Sequence, residues 1–260
     1  MTVLELLKSL LAGISAGLAS GFLGVSPGGI LVPVISLLLP FSQHVSQGIS
    51  LIVQAPPTGL SGLSIYLKSG RRVAFRPVLL VSLGFVIGGP LGAVFARMCS
   101  DHELRWMFVG YLSLLAVLAV GKKSKAKPLI AHEEQFKQSP FLALLAIGII
   151  AGVTSGLLGI GGGLAITALS VVLLHKEQHE AQALSLAITT LPLTLPAAWV
   201  YVRQGWHLPW AVIVCLLAGL ILGTRVGAVF ANRLSERKLK IAFAALLIGL
   251  AIYMGAIANR

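Results

Sequence analysis

The second half of the chain repeats the first half at one constant offset in residue number, 148 − 13 = 135. The segment GISAG at 13–17 returns as GIIAG at 148–152, and SGFLG at 20–24 returns as SGLLG at 155–159. The same offset joins further pairs without a gap: His44/His179, Gln47/Gln182, Ser50/Ser185, Tyr66/Tyr201, Gly84/Gly219, Gly88/Gly223 and Phe108/Phe243. A gapless repeat over nearly the whole chain predicts two equivalent halves about a pseudo-twofold axis. In membrane proteins this arrangement is typical of secondary transporters, with the binding site where the halves meet.

Composition predicts a polytopic protein of the cell inner membrane. The chain is 57% hydrophobic and only 11% charged, and its mean hydropathy is +0.93. Several apolar stretches reach the roughly 20 residues that a membrane-spanning helix needs. The predicted spans are 46–67, 75–96, 103–121, 180–202, 208–232 and 240–258. Nothing between them is long or polar enough to form a soluble domain.

The net charge of +12 does not indicate nucleic-acid binding, because the basic residues cluster in short loops at 68–76, 122–127 and 233–240. This placement is typical of cytoplasmic loops under the positive-inside rule. Cys99 and Cys215 lie at unrelated positions of the repeat and predict neither a disulfide nor a metal site. We expect no cofactor. The apolar run at 6–23 belongs to the mature fold, because its counterpart at 141–158 is internal.

Each half is expected to fold in the same order. A Gly-rich helix runs into a glycine break at 24–29 or 159–163, and a short arm follows at 30–40 or 164–174. An arm of this length is about half of what a spanning helix needs, so we predict a helical hairpin bent within the membrane. Three spans complete each half. The prediction is an all-α protein of eight to ten helical segments, with repeats at 1–121 and 139–260 joined by a basic linker at 122–138.

Charge bias favours inverted halves. Leaving out Arg225, inversion places 14 Lys and Arg residues on the cytoplasmic side and 5 outside. If instead the first helix of each half spans and only the short arm is re-entrant, the halves are parallel and the best split is 12 against 7. We therefore predict inverted repeats with both termini outside. The sequence leaves the oligomeric state open, a homodimer included.

Glycine spacing predicts close helix packing. Glycines recur at every fourth residue in 13–21, 84–92, 148–156 and 219–227, so each set lines one face of a helix. Small residues at this spacing let helix backbones approach closely in lipid. We expect packing rather than substrate contact from most of these glycines.

The glycine breaks are the first candidate site. They free backbone N–H groups, and the helix that follows each break points its partially positive N-terminus into the membrane, where an anion can bind. Crowding alone would also explain a glycine kink. The glycine spacing at 159–163 is not a dinucleotide fingerprint, since no strand and βαβ unit surround it. The candidate residues at the breaks are Gly24, Ser26, Gly28, Gly29, Gly159, Gly161, Gly162 and Gly163.

At these breaks the chain resembles a known family. The segments GVSPGGILVP at 24–33 and GIGGGLAI at 159–166 are similar to the duplicated G-[IV]-G-G-G-x-[IL]-x-V-P signature of the TauE/SafE family of sulfite and organosulfonate exporters. The segments GISL at 48–51 and ALSL at 183–186 resemble the family's following [GA]-T-S-L. Departures are Ser26-Pro27 in place of two glycines, Ala168 opposite Pro33, and Ile49 and Leu184 in place of threonines. The resemblance covers both halves and implies a permease for small anions such as sulfite or sulfonated carboxylates.

Polar residues inside the spans form the second candidate set. Residues 47, 50 and 54 share one helical face, and so do 182, 185 and 189. The set is Gln47, Ser50, Gln54, Gln182, Ser185 and Thr189. Matching stripes in equivalent helices predict a binding cavity, with interhelical hydrogen bonding as the alternative. Pro56, Pro57, Pro192 and Pro196 are expected to interrupt these helices.

Arg225 is the one charge well inside a predicted span. It is either a counter-charge for an anionic substrate or a side chain that reaches the cytoplasmic face. His44 and His179 are expected to act at helix ends rather than as metal ligands or in transport. All eight acidic residues fall at span ends or in loops.

Because no carboxylate is expected at membrane depth, we predict anion export driven by the membrane potential rather than by protons. The alternatives are import or permeation of another anion or metabolite, and a scaffold without transport. An enzyme is not expected, since no nucleophile–base pair or carboxylate pair falls inside the membrane.

Overall fold

A computed structural model describes residues 2–23, 26–57, 74–121, 140–174, 176, 178–204, 209–231 and 236–258. Every regular element in these ranges is a helix, as predicted. The helices are α1 (Val3–Leu23), α2 (Gly28–Leu38), α3 (Gln43–Val53), α4 (Phe75–Met98), α5 (Asp101–Gly121), α6 (Phe141–Leu158), α7 (Gly163–Leu173), α8 (Gln178–Thr189), α9 (Leu195–Arg203), α10 (Trp210–Ala231) and α11 (Glu236–Ala258).

The helix boundaries reproduce the sequence repeat. The first residues of α2 and α7 differ by the offset of the repeat, and so do their last residues. The first residues of α3 and α8 also differ by that offset. The same offset separates the first residues of α4 and α10, the first residues of α5 and α11, and the last residues of α1 and α6. The counterpart of α9 would fall at 60–68, outside the described residues. The duplication seen in the sequence is therefore also a duplication of local structure.

Four helices in the described ranges are long and apolar enough to cross a membrane: Val3–Gly21, Phe75–Met98, Phe141–Leu158 and Trp210–Gly227. At 24 residues, α4 is about 36 Å long, against roughly 30 Å of bilayer hydrocarbon. Its outer face carries Leu83, Ile87 and Leu91, which are all exposed. Apolar side chains facing outward on such helices are what an integral membrane protein presents to lipid.

Two predicted spans are not continuous helices. In the stretch at 46–67, α3 stops at Val53, and Ala55, Pro56 and Pro57 are non-helical. The stretch at 180–202 is divided by non-helical residues 190–194 into α8 and α9. The prolines cause these interruptions, because proline lacks the N–H that helix continuation requires. The interruptions were expected, but they raise the helical segments in the described residues to eleven, above the predicted eight to ten.

Two tight seams join one half to the other. On α1, a side chain at Gly13 would overlap the backbone of Leu216, one at Gly17 the backbone of Leu220, and one at Gly21 the backbone of Thr224. The partners advance along α10 in the same order, so α1 and α10 run parallel. The equivalent seam joins α4 and α6. These contacts confirm the predicted role of the glycine stripes in close helix packing.

The two main apolar cores are also related by the repeat. One lies among α1, α2, α3 and α10 and includes Leu31, Ile49, Leu216 and Leu220. The other lies among α4, α6, α7 and α8 and includes their counterparts in the repeat: Ile166, Leu184, Val81 and Phe85. Each core combines three helices of one half with one helix of the other. The short helices α2, α3, α7 and α8 are thus enclosed between the long helices.

Candidate functional site

The two glycine interruptions meet inside this frame. A side chain at Gly28, where α2 begins, would overlap the carbonyl of Ile160 in the other interruption. A Cβ at Gly163, where α7 begins, would lie 2.7 Å from the Cβ of Ser26. Two helix N-termini therefore converge from the two halves. Each carries about half a positive charge from its helix dipole, so the meeting point favours a negative group.

The second interruption has a backbone that only glycine adopts readily. Gly159, Gly161 and Gly162 have φ angles of 71°, 76° and 73°, in the left-handed region. The first N–H groups of a helix have no acceptor within that helix. Gly161 and Gly162 lie directly before α7, and their N–H groups have no acceptor in the described residues. This loop therefore presents unused donors next to the start of α7.

Gln54 connects the two interruptions. Its side-chain oxygen accepts a hydrogen bond from Ser26 Oγ at 3.1 Å. Its Nε2 donates to Ser50 Oγ at 2.9 Å and lies 3.2 Å from the carbonyl of Gly159. Ser50 Oγ itself donates to that same carbonyl at 2.7 Å. The polar stripe of α3 is therefore bonded to the glycine loop of the other half.

The stripe of α8 behaves differently from that of α3. Ser185 Oγ donates to the carbonyl of Gly163 in its own half, at 2.8 Å. Thr189 Oγ1 donates to the carbonyl of Leu186 one turn back, at 3.1 Å. Gln182 is half-buried and makes no hydrogen bond with the described residues. The two stripes are equivalent in sequence but make different bonds, so the site is asymmetric.

Tyr201 forms a further bond between the halves. Its hydroxyl is buried on α9 and lies 2.9 Å from Gln47 Oε1 and 2.9 Å from the carbonyl of Gly156. The single hydroxyl hydrogen is shared between these acceptors. Gln47 Nε2 is buried and has no partner in the described residues. Gln47 therefore keeps one unused donor beside the glycine loop.

A small cavity lies at the junction. It is lined by Ser26, Gln54, Phe85, Gly161, Ile188, Thr189, Leu191, Leu193 and Thr194. Its volume is about 10 Å³, which is room for about one water molecule. The described lining residues are partly polar, and none of them is charged. This space is too small for an anion, so an anion needs the surrounding helices to move.

The first turn of α3 is anchored by a histidine–carboxylate contact. His44 Nδ1 lies 2.5 Å from Asp101 Oδ1, and His44 Nε2 lies 2.9 Å from the carbonyl of Ala96. The Asp101 carboxylate also accepts from the backbone N–H of Gln43 at 3.2 Å. His44 thus acts at a helix end, as predicted. The side chain of His179 lies outside the described residues.

Several of the predicted residues come together. Ser26, Gly28 and Gly161 all contact the Gln54 side chain. At Gly29, a Cβ would lie 3.1 Å from a side-chain carbon of Leu164, so this position packs against α7.

Other predicted residues are not brought to the junction. Arg225 is exposed on α10 and does not line the cavity. Gly24 lies outside the described residues. No charged side chain therefore reaches the cavity from the part of the chain that the structure describes.

Sequence reasoning did not assign Phe85, Thr194 and Tyr201 to the site. The ring of Phe85 closes over Gly162, where any side chain would overlap it. Tyr201 gave a usable signal, because its partner in the repeat is also tyrosine, at position 66. Phe85 gave none, because its counterpart is Leu220 and both are ordinary apolar core residues.

Comparison with known proteins supports a role in membrane transport. A family model described as "Sulfite exporter TauE/SafE" matches residues 9–254. The chain belongs to the TauE/SafE family. The TauE/SafE match spans both halves and includes both interruptions. It makes the chain an integral membrane protein of a transporter family.

Curated relatives carry transport names without a cargo. A "Probable membrane transporter protein YdhB" of Bacillus subtilis is 28% identical over 227 residues, covering 87% of this chain and 90% of that protein. A "Probable membrane transporter protein" of Xylella fastidiosa (strain 9a5c) is 24% identical over 258 residues, covering 98% and 96%. One of Haemophilus influenzae is 28% identical over 162 residues, covering 59% and 56%. No solved structure matches this TauE/SafE chain.

Proposed function

We propose that this chain exports a small oxyanion, sulfite or an organosulfonate, through the junction of the two glycine interruptions. The observation that carries the proposal is the convergence of the N-termini of α2 and α7 on one uncharged site with polar groups. Helix N-termini with unused amides bind anions. A site without a fixed cation also releases its anion readily, which a transporter needs.

The directions of the short helices support inverted repeats around this site. His44, at the start of α3, contacts Ala96 at the end of α4, and Gln54 at the other end of α3 lines the cavity. α2 leads back along α3 from the cavity, since Ser36 Oγ lies 3.4 Å from Ser46 Oγ. α2 therefore leaves the cavity toward the end of α4.

α7 leaves the cavity in the opposite sense. Leu169 on α7 and Leu174 after it belong to the core that includes Ala74 and Val78 at the start of α4. Equivalent helices that leave a common point toward opposite ends of one long helix are what inversion requires. We propose that the two halves are inverted in the inner membrane, with both termini outside.

The electrostatics favour export. A negative-inside potential of 100 mV favours each departing negative charge by about 2.3 kcal/mol. None of the described lining residues is a carboxylate that could couple the flux to protons. Transport proceeds by one set of helices moving against the other, because a cavity of about 10 Å³ cannot hold the anion.

The test is flux in proteoliposomes loaded with labelled sulfite or a small sulfonate. We expect efflux that rises with an imposed potential, negative inside, and that needs no proton gradient. A panel of competing anions then separates sulfite and sulfonates from phosphate and carboxylates. Flux that requires a proton gradient and ignores voltage would refute the mechanism. Absence of flux for every anion would refute the function.

A matched pair of variants tests the site. Gln182→Ala removes a half-buried amide that makes no bond with the described residues, so we expect folded protein with lost transport. Gln43→Ala removes a buried amide in the first turn of α3 and should keep transport. Equal flux in both variants would remove the α8 stripe from the site.

A further inference from the structure

The carboxamide of Gln54 fills the space between the two interruptions. A Cβ at Gly28 would lie 2.5 Å from Gln54 Nε2, and a Cβ at Gly161 would overlap Gln54 Oε1. Gln54 is only 5% exposed. Its oxygen therefore sits between the starts of α2 and α7, where the helix dipoles place their positive ends. A neutral amide occupies the position that the electrostatics favour for an anion.

One atom of this group, the Gln54 oxygen, is a hydrogen-bond acceptor like the oxygens of a small oxyanion. The Gln54 oxygen accepts from Ser26 Oγ at 3.1 Å, as an oxygen of the substrate would. The adjoining cavity of about 10 Å³ holds about one water molecule. An anion therefore cannot enter while the carboxamide stays in place.

The equivalent position of the other half has no such group. The repeat places Thr189 opposite Gln54, and threonine is too short to cross between the interruptions. Its hydroxyl bonds to its own helix at the carbonyl of Leu186. Both residues line the small cavity, but only the Gln54 side chain bonds to both interruptions.

We propose that the Gln54 carboxamide is a tethered occupant of the substrate position. It holds the two interruptions together when the transporter is empty, the anion displaces it on binding, and it returns when the anion leaves. This inference rests on the proposed function, because it names a residue that competes with the substrate at that site. In this role the Gln54 side chain lowers the affinity for the substrate, whereas a substrate ligand would raise it.

The sign of the affinity change separates the two roles. Removing a direct ligand weakens binding, whereas removing a competitor strengthens it. If the carboxamide fills the site in about 90% of empty transporters, the apparent Kd exceeds the intrinsic Kd about tenfold. We therefore expect Gln54→Thr, which copies the residue of the other half, to bind sulfite about tenfold more tightly than the wild type.

Sulfite binding to the purified full chain in detergent measures this change. Gln43→Thr is the matched control, because it replaces a buried glutamine at the far end of the same helix, and it should bind like the wild type. Gln54→Asn is a second variant that keeps an amide but is one methylene shorter, and it should also bind more tightly. Unchanged or weaker sulfite binding in folded Gln54 variants would overturn the proposal.

A second readout needs no substrate. Thr194 lines the cavity and is 6% exposed, so Thr194→Cys reports access to it once Cys99 and Cys215 are replaced by serine. A small charged methanethiosulfonate should label this cysteine about tenfold faster with Gln54→Thr than with Gln43→Thr. Equal labelling rates would also overturn the proposal. If the wild type binds no anion, the proposed function fails, and the labelling rates alone decide whether Gln54 closes the site.

Discussion

Replacing Tyr201 by phenylalanine removes one oxygen atom from the junction of the two halves. The hydroxyl lies 2.9 Å from Gln47 Oε1 and 2.9 Å from the carbonyl of Gly156. Tyr201 is 0% exposed, so water cannot take its place. Gln47 Nε2 already has no partner in the described residues. The variant would leave both polar atoms of that amide without a hydrogen bond.

The magnitude follows from the number of acceptors lost. One buried acceptor left unpaired costs about 1–3 kcal/mol, but hydrogen bonds between membrane helices average only about 0.6 kcal/mol with a maximum of about 1.7. Because two acceptors share the hydrogen, we place the loss near the maximum for membrane helices, at about 2 kcal/mol. For a chain of this length, that corresponds to a midpoint lower by roughly 4–8 °C.

The chain offers a matched control in Tyr111 on α5. Its hydroxyl is also buried, but it has no hydrogen-bond partner in the described residues. Tyr111→Phe should therefore leave thermal stability unchanged or raise it. The assay is thermal unfolding of both variants in the same detergent. A double-mutant cycle of Tyr201→Phe with Gln47→Leu should show coupling. Equal midpoints for the two tyrosine variants would refute the hydrogen-bond argument.

Helix packing, the exposure of Arg225 and a hydrogen bond between the halves lead to three further predictions. Gly17→Val places a side chain against the backbone of Leu220, so we expect loss of folded protein by size-exclusion chromatography. Arg225→Gln changes an exposed side chain, so the flux of sulfite should stay within about twofold of the wild type; a larger loss would return Arg225 to the site. Ser50→Ala removes the donor to the carbonyl of Gly159 and should lower the free energy of unfolding by about 0.6–1.7 kcal/mol. Ser15→Ala, whose hydroxyl bonds within its own helix to Ala12, is the control, and equal thermal midpoints for the two serine variants would count against a bond between the halves.

The sequence was a good guide wherever one signal had one structural cause. The repeat predicted that α2 and α7 are equivalent, but they begin two residues and one residue before the predicted arms, at Gly28 and Gly163. The glycine stripes predicted backbone contact, because glycine at every fourth position has few other uses in a lipid-embedded helix. The second break was correctly placed, since Gly159 ends α6 in a left-handed conformation and Gly163 begins α7.

The remaining features depend on which helices are neighbours, and periodicity carries no information on that. The sequence spacing predicted that residues 47, 50 and 54 share one helical face. It did not predict the hydrogen bond from that face to Gly159 of the other half. Phe85 is an ordinary core residue until the fold places its ring on Gly162. Arg225 falls inside an apolar stretch, yet its exposure is decided by which face of α10 forms the seam with α1.

The parallel seams have a consequence for biosynthesis. α1 is synthesised before its partner α10, which begins only at Trp210, so the glycine face of α1 stays unpaired in the bilayer until α10 has been made. α4 and α6 meet much sooner. Each half contributes one helix to the core of the other half, so neither half should fold completely alone. Two separately encoded halves should accumulate only when they are produced in the same cell.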